Sequence, residues 1–447
     1  MGKEILKKLL VALLILYSIY LIIHVTTHRN NYQTDFKIYY YAANASASGL
    51  NPYDPNVLFQ IAQVPKRDKF TYPPITLLFF RLFSLVKFDI AFYLFLSFKC
   101  LLLIGLIYLW VKKFLQEDRD LLFYIFCLLA FNSSIYLDII ASNISILEQL
   151  ILWIAFSFFL NRRLLFFCLF IIFAAVFKIT PILFLFLLWF SEFEKKKKFM
   201  YFFSASAIFL VIMLLSYVIN PFLFKNFVSN SIGIDERGII NPSTMAIIKD
   251  AFELLAIKTG VITPQIAPLI VYLVIITTII IITWRTYRVF ISFETKNKEK
   301  IAIFLACLVY ALVLPRFKDY SYILLLVPTY FIIKRVSYTY TKVHILLFIF
   351  TILSAARVTL PGFDVIFSFF WRYYPLVIAY FVWGLYIYNL PIITKNCLPK
   401  QQKYNSNLLQ LIQIPLSGIL LLKRSEIAGN PQTQLGNTYS LVEMTFP

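Results

Sequence analysis

Apolar runs separated by short, often basic stretches fill most of this chain, and twelve approach the length that a membrane helix requires. They fall near 9–25, 90–111, 120–141, 143–160, 164–177, 181–191, 199–219, 264–284, 301–314, 320–333, 343–360 and 373–390. The pattern predicts an all-α integral membrane protein, a multi-span helical bundle of about twelve transmembrane helices. Residues 164–190 number only 27 around Lys178-Ile179-Thr180-Pro181, so a single kinked helix competes there with two short ones.

Basic residues choose between these readings. With a cytoplasmic N-terminus and both short helices crossing, the inner connections hold 20 Lys and Arg in 51 residues and the outer ones 13 in about 111. That density difference is what the positive-inside rule demands. Merging 164–190 would put either Arg162-Arg163 or Lys195 to Lys198 on the wrong side, so two short helices shielded by neighbouring protein are expected. Residues 73–87 are apolar but short and carry Arg81; counting them as a span would expose Lys112-Lys113 outside, so they are read as a re-entrant or interfacial helix. The basic start and long apolar stretch of residues 1–25 read as an uncleaved first span. Residues 26–72 become the first outer loop, and 396–447 a polar, loosely ordered cytoplasmic tail outside a domain of 1–395.

Composition narrows the class. At 60% hydrophobic and 14% charged residues the chain is not a soluble globular protein. Its net charge of +20 flanks apolar runs, which points to membrane orientation and not to nucleic acid. Cys100, Cys127, Cys168, Cys307 and Cys397 follow no metal spacing, and His24, His28 and His344 are scattered, so neither a disulfide nor a metal site is expected. A glycine-rich phosphate loop and an Asp-x-Asp nucleotide-sugar signature are both missing, which argues against an ATP-driven pump or a cytosolic nucleotide-sugar enzyme. No cofactor is expected.

This topology gathers unusual polar residues on the outer face. Residues 35–47 are helix-compatible after a Thr34-Asp35 start, and the Gly49-Leu50-Asn51-Pro52-Tyr53 turn ends them. Asp35 reads either as a general base for a hydroxyl arriving from water or as a carboxylate favoured by the helix dipole. Asp138 and Glu148 flank a turn at Ser142-Asn143, and Lys178 sits at the apex of the short helix pair. Ionisable groups at such depth cost several kcal/mol unless paired or wetted. Glu148 is open to both an ion-pairing and a functional role; Lys178, beside a Pro break, reads as functional; Lys99 and Arg81 read as structural counter-ions. Asn241-Pro242-Ser243-Thr244 opens an outer amphipathic stretch, Pro315-Arg316-Phe317-Lys318-Asp319-Tyr320 forms an outer turn, and Arg357 and Arg372 lie near the last outer loop. Arg and Lys beside aromatics suit a lipid-linked phosphate. Headgroup contact and snorkelling are the plainer alternative.

These motifs, taken in order, resemble one known family. Asp35-Phe-Lys-Ile-Tyr-Tyr-Tyr-Ala-Ala, Gly49-Leu-Asn-Pro-Tyr-Asp, Tyr72-Pro-Pro, Lys178-Ile-Thr-Pro, Asn241-Pro-Ser and Pro315-Arg-Phe-Lys-Asp-Tyr are similar to the GT-C glycosyltransferases of family 87, the bacterial polyprenol-phosphate-mannose-dependent mannosyltransferases, over about residues 9–390. The resemblance implies a multi-pass transferase of the bacterial inner membrane with its active site on the extracytoplasmic face. It further implies a polyprenyl-phosphate-sugar donor, a glycan or glycolipid acceptor, inversion in a single displacement and no essential metal. By motif, Asp35 is the expected base and Lys178 a donor-phosphate contact. Tyr39, Tyr72, Glu148, Asn241, Arg316, Lys318, Tyr320 and Arg372 complete the expected donor and substrate set. The family often has a Ser-Trp-x-His sequence after the Pro matching Pro315, and here Arg316 to Tyr320 carries no His. The rival from another class is a transporter or lipid-linked sugar flippase. Such proteins tend to show internal repeats and broken helices facing the midplane, and this sequence has only 11 Gly and no evident repeat. A non-enzymatic assembly subunit is the third reading and expects Asp35 to adjoin no cavity.

Overall fold

The computed structural model describes residues 2–27, 33–66, 68–116, 120–260, 264, 266–291, 298–337, 341–353 and 365–395, and among them every regular element is a helix. In chain order these are α1 (Gly2–Thr27), α2 (Thr34–Ala47), α3 (Pro55–Ala62), α4 (Thr76–Ser84), α5 (Phe88–Leu109), α6 (Leu121–Ala141), α7 (Ser145–Leu160), α8 (Leu164–Phe177) and α9 (Lys195–Ile219). They continue as α10 (Pro221–Ile232), α11 (Thr244–Thr259), α12 (Ala267–Ile291), α13 (Lys298–Val313), α14 (Leu326–Ser337), α15 (Thr341–Leu353), α16 (Val365–Arg372) and α17 (Tyr374–Lys395). Two 3₁₀ segments, Thr180–Phe190 and Asp319–Leu325, and a π turn at Trp110–Phe114 join this series.

Each apolar run of the sequence coincides with a helical segment, although part of 343–360 and the whole 396–447 tail lie outside the described residues. Among the described residues four helices are long and apolar enough to cross a membrane: Phe88–Phe114, Leu121–Ala141, Lys195–Ile219 and Ala267–Val289. The last two expose Leu210, Val211, Leu214, Ile270, Val274 and Ile280, a surface that water would not tolerate and lipid would. The remaining apolar helices are shorter. At 1.5 Å per residue α8 reaches roughly 21 Å, against a hydrocarbon thickness of about 30 Å. The eleven residues of Thr180–Phe190 gain reach by winding as a 3₁₀ helix, about 22 Å where an α-helix would give about 16 Å. The break between these two falls on Lys178, whose backbone is extended at φ −135°, and the two helices pack against each other.

The segment read as re-entrant is the nine-residue α4, packed on α2 and too short to cross. Its Arg81 is exposed and pairs with no acid among the described residues, which corrects the counter-ion expectation. An aromatic seam fixes α2: Phe36 stacks on Phe95 of α5 at 4.3 Å and Tyr39 on Phe80 of α4 at 4.5 Å. The helix begins differently from the Thr-Asp start read in the sequence. Thr34 already lies in the first turn, Gln33 precedes it in the left-handed region at φ 64°, and no side chain caps the end. Instead the Gln33 N–H donates to the Ile140 carbonyl at 2.7 Å, tying the start of α2 to the end of α6.

Charge inside the fold is matched pairwise. Lys99 of α5 and Asp138 of α6, both almost wholly buried, form an ion pair at 2.7 Å, and Lys99 also donates to the Asp138 carbonyl at 2.6 Å. Lys99 is therefore the counter-ion that the sequence suggested. Removing one partner leaves a stranded charge, a loss of about 3–5 kcal/mol, whereas replacing both by apolar residues is far milder. Lys99→Met should thus lower the thermal midpoint of the purified protein strongly, and Lys99→Met with Asp138→Leu should recover most of the loss; a double variant no better than the single one would refute the pairing.

Candidate functional site

Asp35 stands in the first turn of α2, and Lys178 projects from the extended break after α8; both line one cavity of about 1230 Å³. Three further features converge on this space. Ser142, at φ 52°, ends α6 and throws Asn143 into the turn before α7. The interior of α6 is itself broken, with Phe131, Asn132 and Ser133 at φ 52°, 57° and 55°, and Asn132 and Ser133 line the cavity. The 3₁₀ segment after Pro315 brings Tyr320 to the same wall.

Asn143 is the centre of the arrangement. Its side-chain nitrogen lies 2.7 Å from Asp35 Oδ2, 2.8 Å from the Tyr39 hydroxyl, 2.9 Å from that of Tyr320 and 3.1 Å from that of Tyr72. An amide carries only two protons for these four oxygens, and a charged acceptor has first claim on one of them. The Tyr39 and Tyr72 hydroxyls satisfy each other at 2.8 Å. Burial pushes both phenols well above their ordinary range, so both remain protonated donors. Asp35 has no cation within ion-pairing distance, and its Oδ1 has no hydrogen-bond partner among the described residues. A carboxylate held by one oxygen and open at the other suits proton acceptance better than dipole capping.

The cations of the cavity are nearly all paired. Lys178 meets Glu148 at 2.6 Å, and Glu236 binds Arg316 at 2.8 Å and Lys318 at 3.0 Å. Lys178 and Lys318 each lie 5.7 Å from the centroid of the Tyr320 ring. Lys69, on the same cavity, has no acid partner among the described residues. At the edge, hydrogen bonds from Arg237 and Lys249 hold the Asp235 carboxyl down at about 2. Among the described residues no cluster of three His, Cys, Asp or Glu is placed to hold a metal ion.

Of the residues expected from sequence, Asp35, Tyr39, Tyr72, Glu148, Lys178, Arg316, Lys318 and Tyr320 line this cavity together. Asn241 and Arg372 do not. Asn241 is buried behind the wall, where it accepts from the Phe317 N–H at 2.8 Å and donates to the Glu236 carbonyl at 2.8 Å, and Ser243 donates to the Pro315 carbonyl at 2.7 Å. The Asn-Pro-Ser segment therefore clamps the Arg316–Tyr320 turn from outside. Arg372 is exposed, its stem directed at Gly238, which occupies φ +67°. Arg357 lies outside the described residues. Sequence reasoning passed over Asn143 as a turn residue and did not single out Ser145, Glu236 or Lys69. The available signal for the first two was a polar Ser142-Asn143-Ser145 stretch between two apolar runs.

The family model described as glycosyltransferase family 87 matches residues 70–315, more than half of the chain. No curated protein and no solved structure matches it. The matched stretch includes Tyr72, Asn143, Glu148 and Lys178 of the cavity wall, and on that evidence the chain belongs to glycosyltransferase family 87 and transfers a sugar.

Proposed function

We propose that this transferase is of the GT-C type, with about twelve spans and a helical first extracytoplasmic loop that carries the base. It moves a hexose, mannose-like, from a polyprenyl-phosphate donor to a glycan or glycolipid acceptor at the extracytoplasmic face of a bacterial inner membrane. The observation that carries this reading is the joint presence of Asp35 and Lys178 on one cavity, the first open at Oδ1 and the second cationic. The family match supports a transferase over a transporter or flippase.

The acceptor hydroxyl attacks the anomeric carbon from the face opposite the phosphate, and Asp35 Oδ1 takes its proton as the new C–O bond forms. The electrons of the old C–O bond leave with the phosphate, which gains charge, and the configuration inverts. Lys178, Arg316 and Lys318 offset that growing charge. A phosphate ester leaves as a stable anion, so no separate acid has to protonate it. The lipid tail lies between helices, and the acceptor enters from water.

Two variants separate these roles. Asp35→Asn should lower transfer by roughly 10²–10⁴-fold, the usual contribution of a general base, with expression and donor binding largely intact. A panel of radiolabelled polyprenyl-phosphate sugars, offered to the purified protein with cell-envelope glycolipids, measures this, and normal turnover by the variant would end the assignment. Lys178→Ala should weaken donor binding about tenfold or more, the scale of a charge-assisted contact. Adding Glu148→Gln removes the acid that Lys178→Ala strands; unchanged donor affinity in both variants takes Lys178 out of the site.

A further inference from the structure

Between the open carboxylate and the paired cation runs a chain of three hydrogen bonds whose direction is fixed. Lys178 Nζ lies 2.8 Å from Ser145 Oγ, Ser145 Oγ 2.8 Å from Asn143 Oδ1, and Asn143 Nδ2 2.7 Å from Asp35 Oδ2. An ammonium group only donates, so the Ser145 oxygen accepts from Lys178 and gives its own proton to Asn143. The Asn143 oxygen is thereby held away from Asp35, and the amide nitrogen faces the carboxylate. The flipped amide would set one oxygen against another at Asp35 and leave Ser145 without an acceptor. Hydrogen bonds in series polarise one another, most strongly in surroundings as dry as these: Ser145, Asn143 and Glu148 are each at most 4% exposed.

We propose that Ser145 and Asn143 are positioning residues that form a relay, holding Asp35 with one oxygen bound and the other free and making the hold on Asp35 depend on whether Lys178 is engaged with Ser145. Neither residue touches the reacting atoms. Lys178 divides its protons between Glu148 and Ser145. A phosphate that draws Lys178 away loosens the Ser145 hydroxyl, the Asn143 amide and then Asp35, so that the carboxylate accepts a proton more readily once the donor is seated. The inference rests on the reading of Asp35 as base and adds to it the means by which donor and acceptor halves of the site communicate.

The test needs no turnover. The full chain in lipid nanodiscs is treated with dicyclohexylcarbodiimide, which reacts with a carboxyl once it is protonated, and the labelling rate at Asp35 is followed by peptide mass spectrometry. Ser145→Ala should label several-fold faster than the unaltered chain, Ser145→Cys should lie between, and Ser145→Thr, which keeps the hydroxyl, should recover most of the slow rate. Lys178→Met should also speed labelling, although Lys178 makes no contact with Asp35. In the Ser145→Ala background Lys178→Met should then add nothing. A merely electrostatic effect of the lost cation would persist in that background, and a merely structural effect of Ser145 would not be recovered by Thr. Equal labelling in Ser145→Ala and the unaltered chain, or a full additive effect of Lys178→Met, overturns the relay while leaving Asp35 as base if Asp35→Asn is inactive. An Asp35→Asn variant that transfers sugar normally overturns the base and the purpose of the relay together.

Discussion

Everything at the site depends on how the half-buried Asp35 carboxylate is held with no cation beside it among the described residues. Elsewhere in the interior the protein balances charge with charge: Asp138 with Lys99, Glu148 with Lys178, Glu236 with Arg316 and Lys318. Asp35 is supported instead by a neutral amide at 2.7 Å and, more distantly, the Tyr320 hydroxyl at 3.5 Å. A cation at contact distance would stabilise the charged form and make the group a poor base. An amide fixes the direction of the carboxylate without neutralising it.

The paired cations obey the complementary logic. Three partly buried positive side chains facing one cavity would each carry a desolvation cost without counter-ions. Glu148 and Glu236, which line the same cavity, offset that cost. The Tyr320 ring, with a lysine near it on each of two chain segments, keeps both ammonium groups oriented over an aromatic surface. Lys69 is different because it has no acid partner among the described residues.

Much of this was legible in the sequence where the signal was local. Apolar run length located the helices, because burial in lipid or protein imposes the same requirement on every turn. The Lys178-Ile179-Thr180-Pro181 break and the short α4 followed from length and basic residues alone. Lys178 stood out because ionisable groups near lipid are costly, and Asp35 because a Thr-Asp helix start places a carboxylate in a first turn beside the bilayer. Asn143 did not, since a neutral amide in a turn has an ordinary local explanation and its four oxygen neighbours come from distant parts of the chain. Asn241 failed in the opposite sense: a polar residue in a motif suggested contact with substrate, and its bonds go to backbone groups that brace the next segment. Glu236 lay in an unremarkable charged loop, and only folding places it between two cations.

The break inside α6 was the least legible feature, and it explains the geometry of the rest. Residues 120–141 read as one uninterrupted apolar helix, with no Pro or Gly to mark a kink. Yet Phe131, Asn132 and Ser133 all take positive φ, at roughly 1–2 kcal/mol each for residues that bear a Cβ. Such a run persists only where its surroundings over-determine it. Those surroundings are visible: Phe131 stacks on Tyr322 at 5.5 Å, and the Tyr322 hydroxyl donates to the Pro242 carbonyl at 2.6 Å, so the strained turn is braced by the same Asn-Pro-Ser segment that clamps the Arg316–Tyr320 turn. What the strain achieves is a change of direction within a spanning helix. It turns Asn132 and Ser133 toward the cavity and sets the phase of the following residues, so that Asp138 faces Lys99, Ile140 receives Gln33, and Asn143 arrives against Asp35. A straight α6 would rotate that register, and Asp35 would lose its amide partner though every residue around it were unchanged.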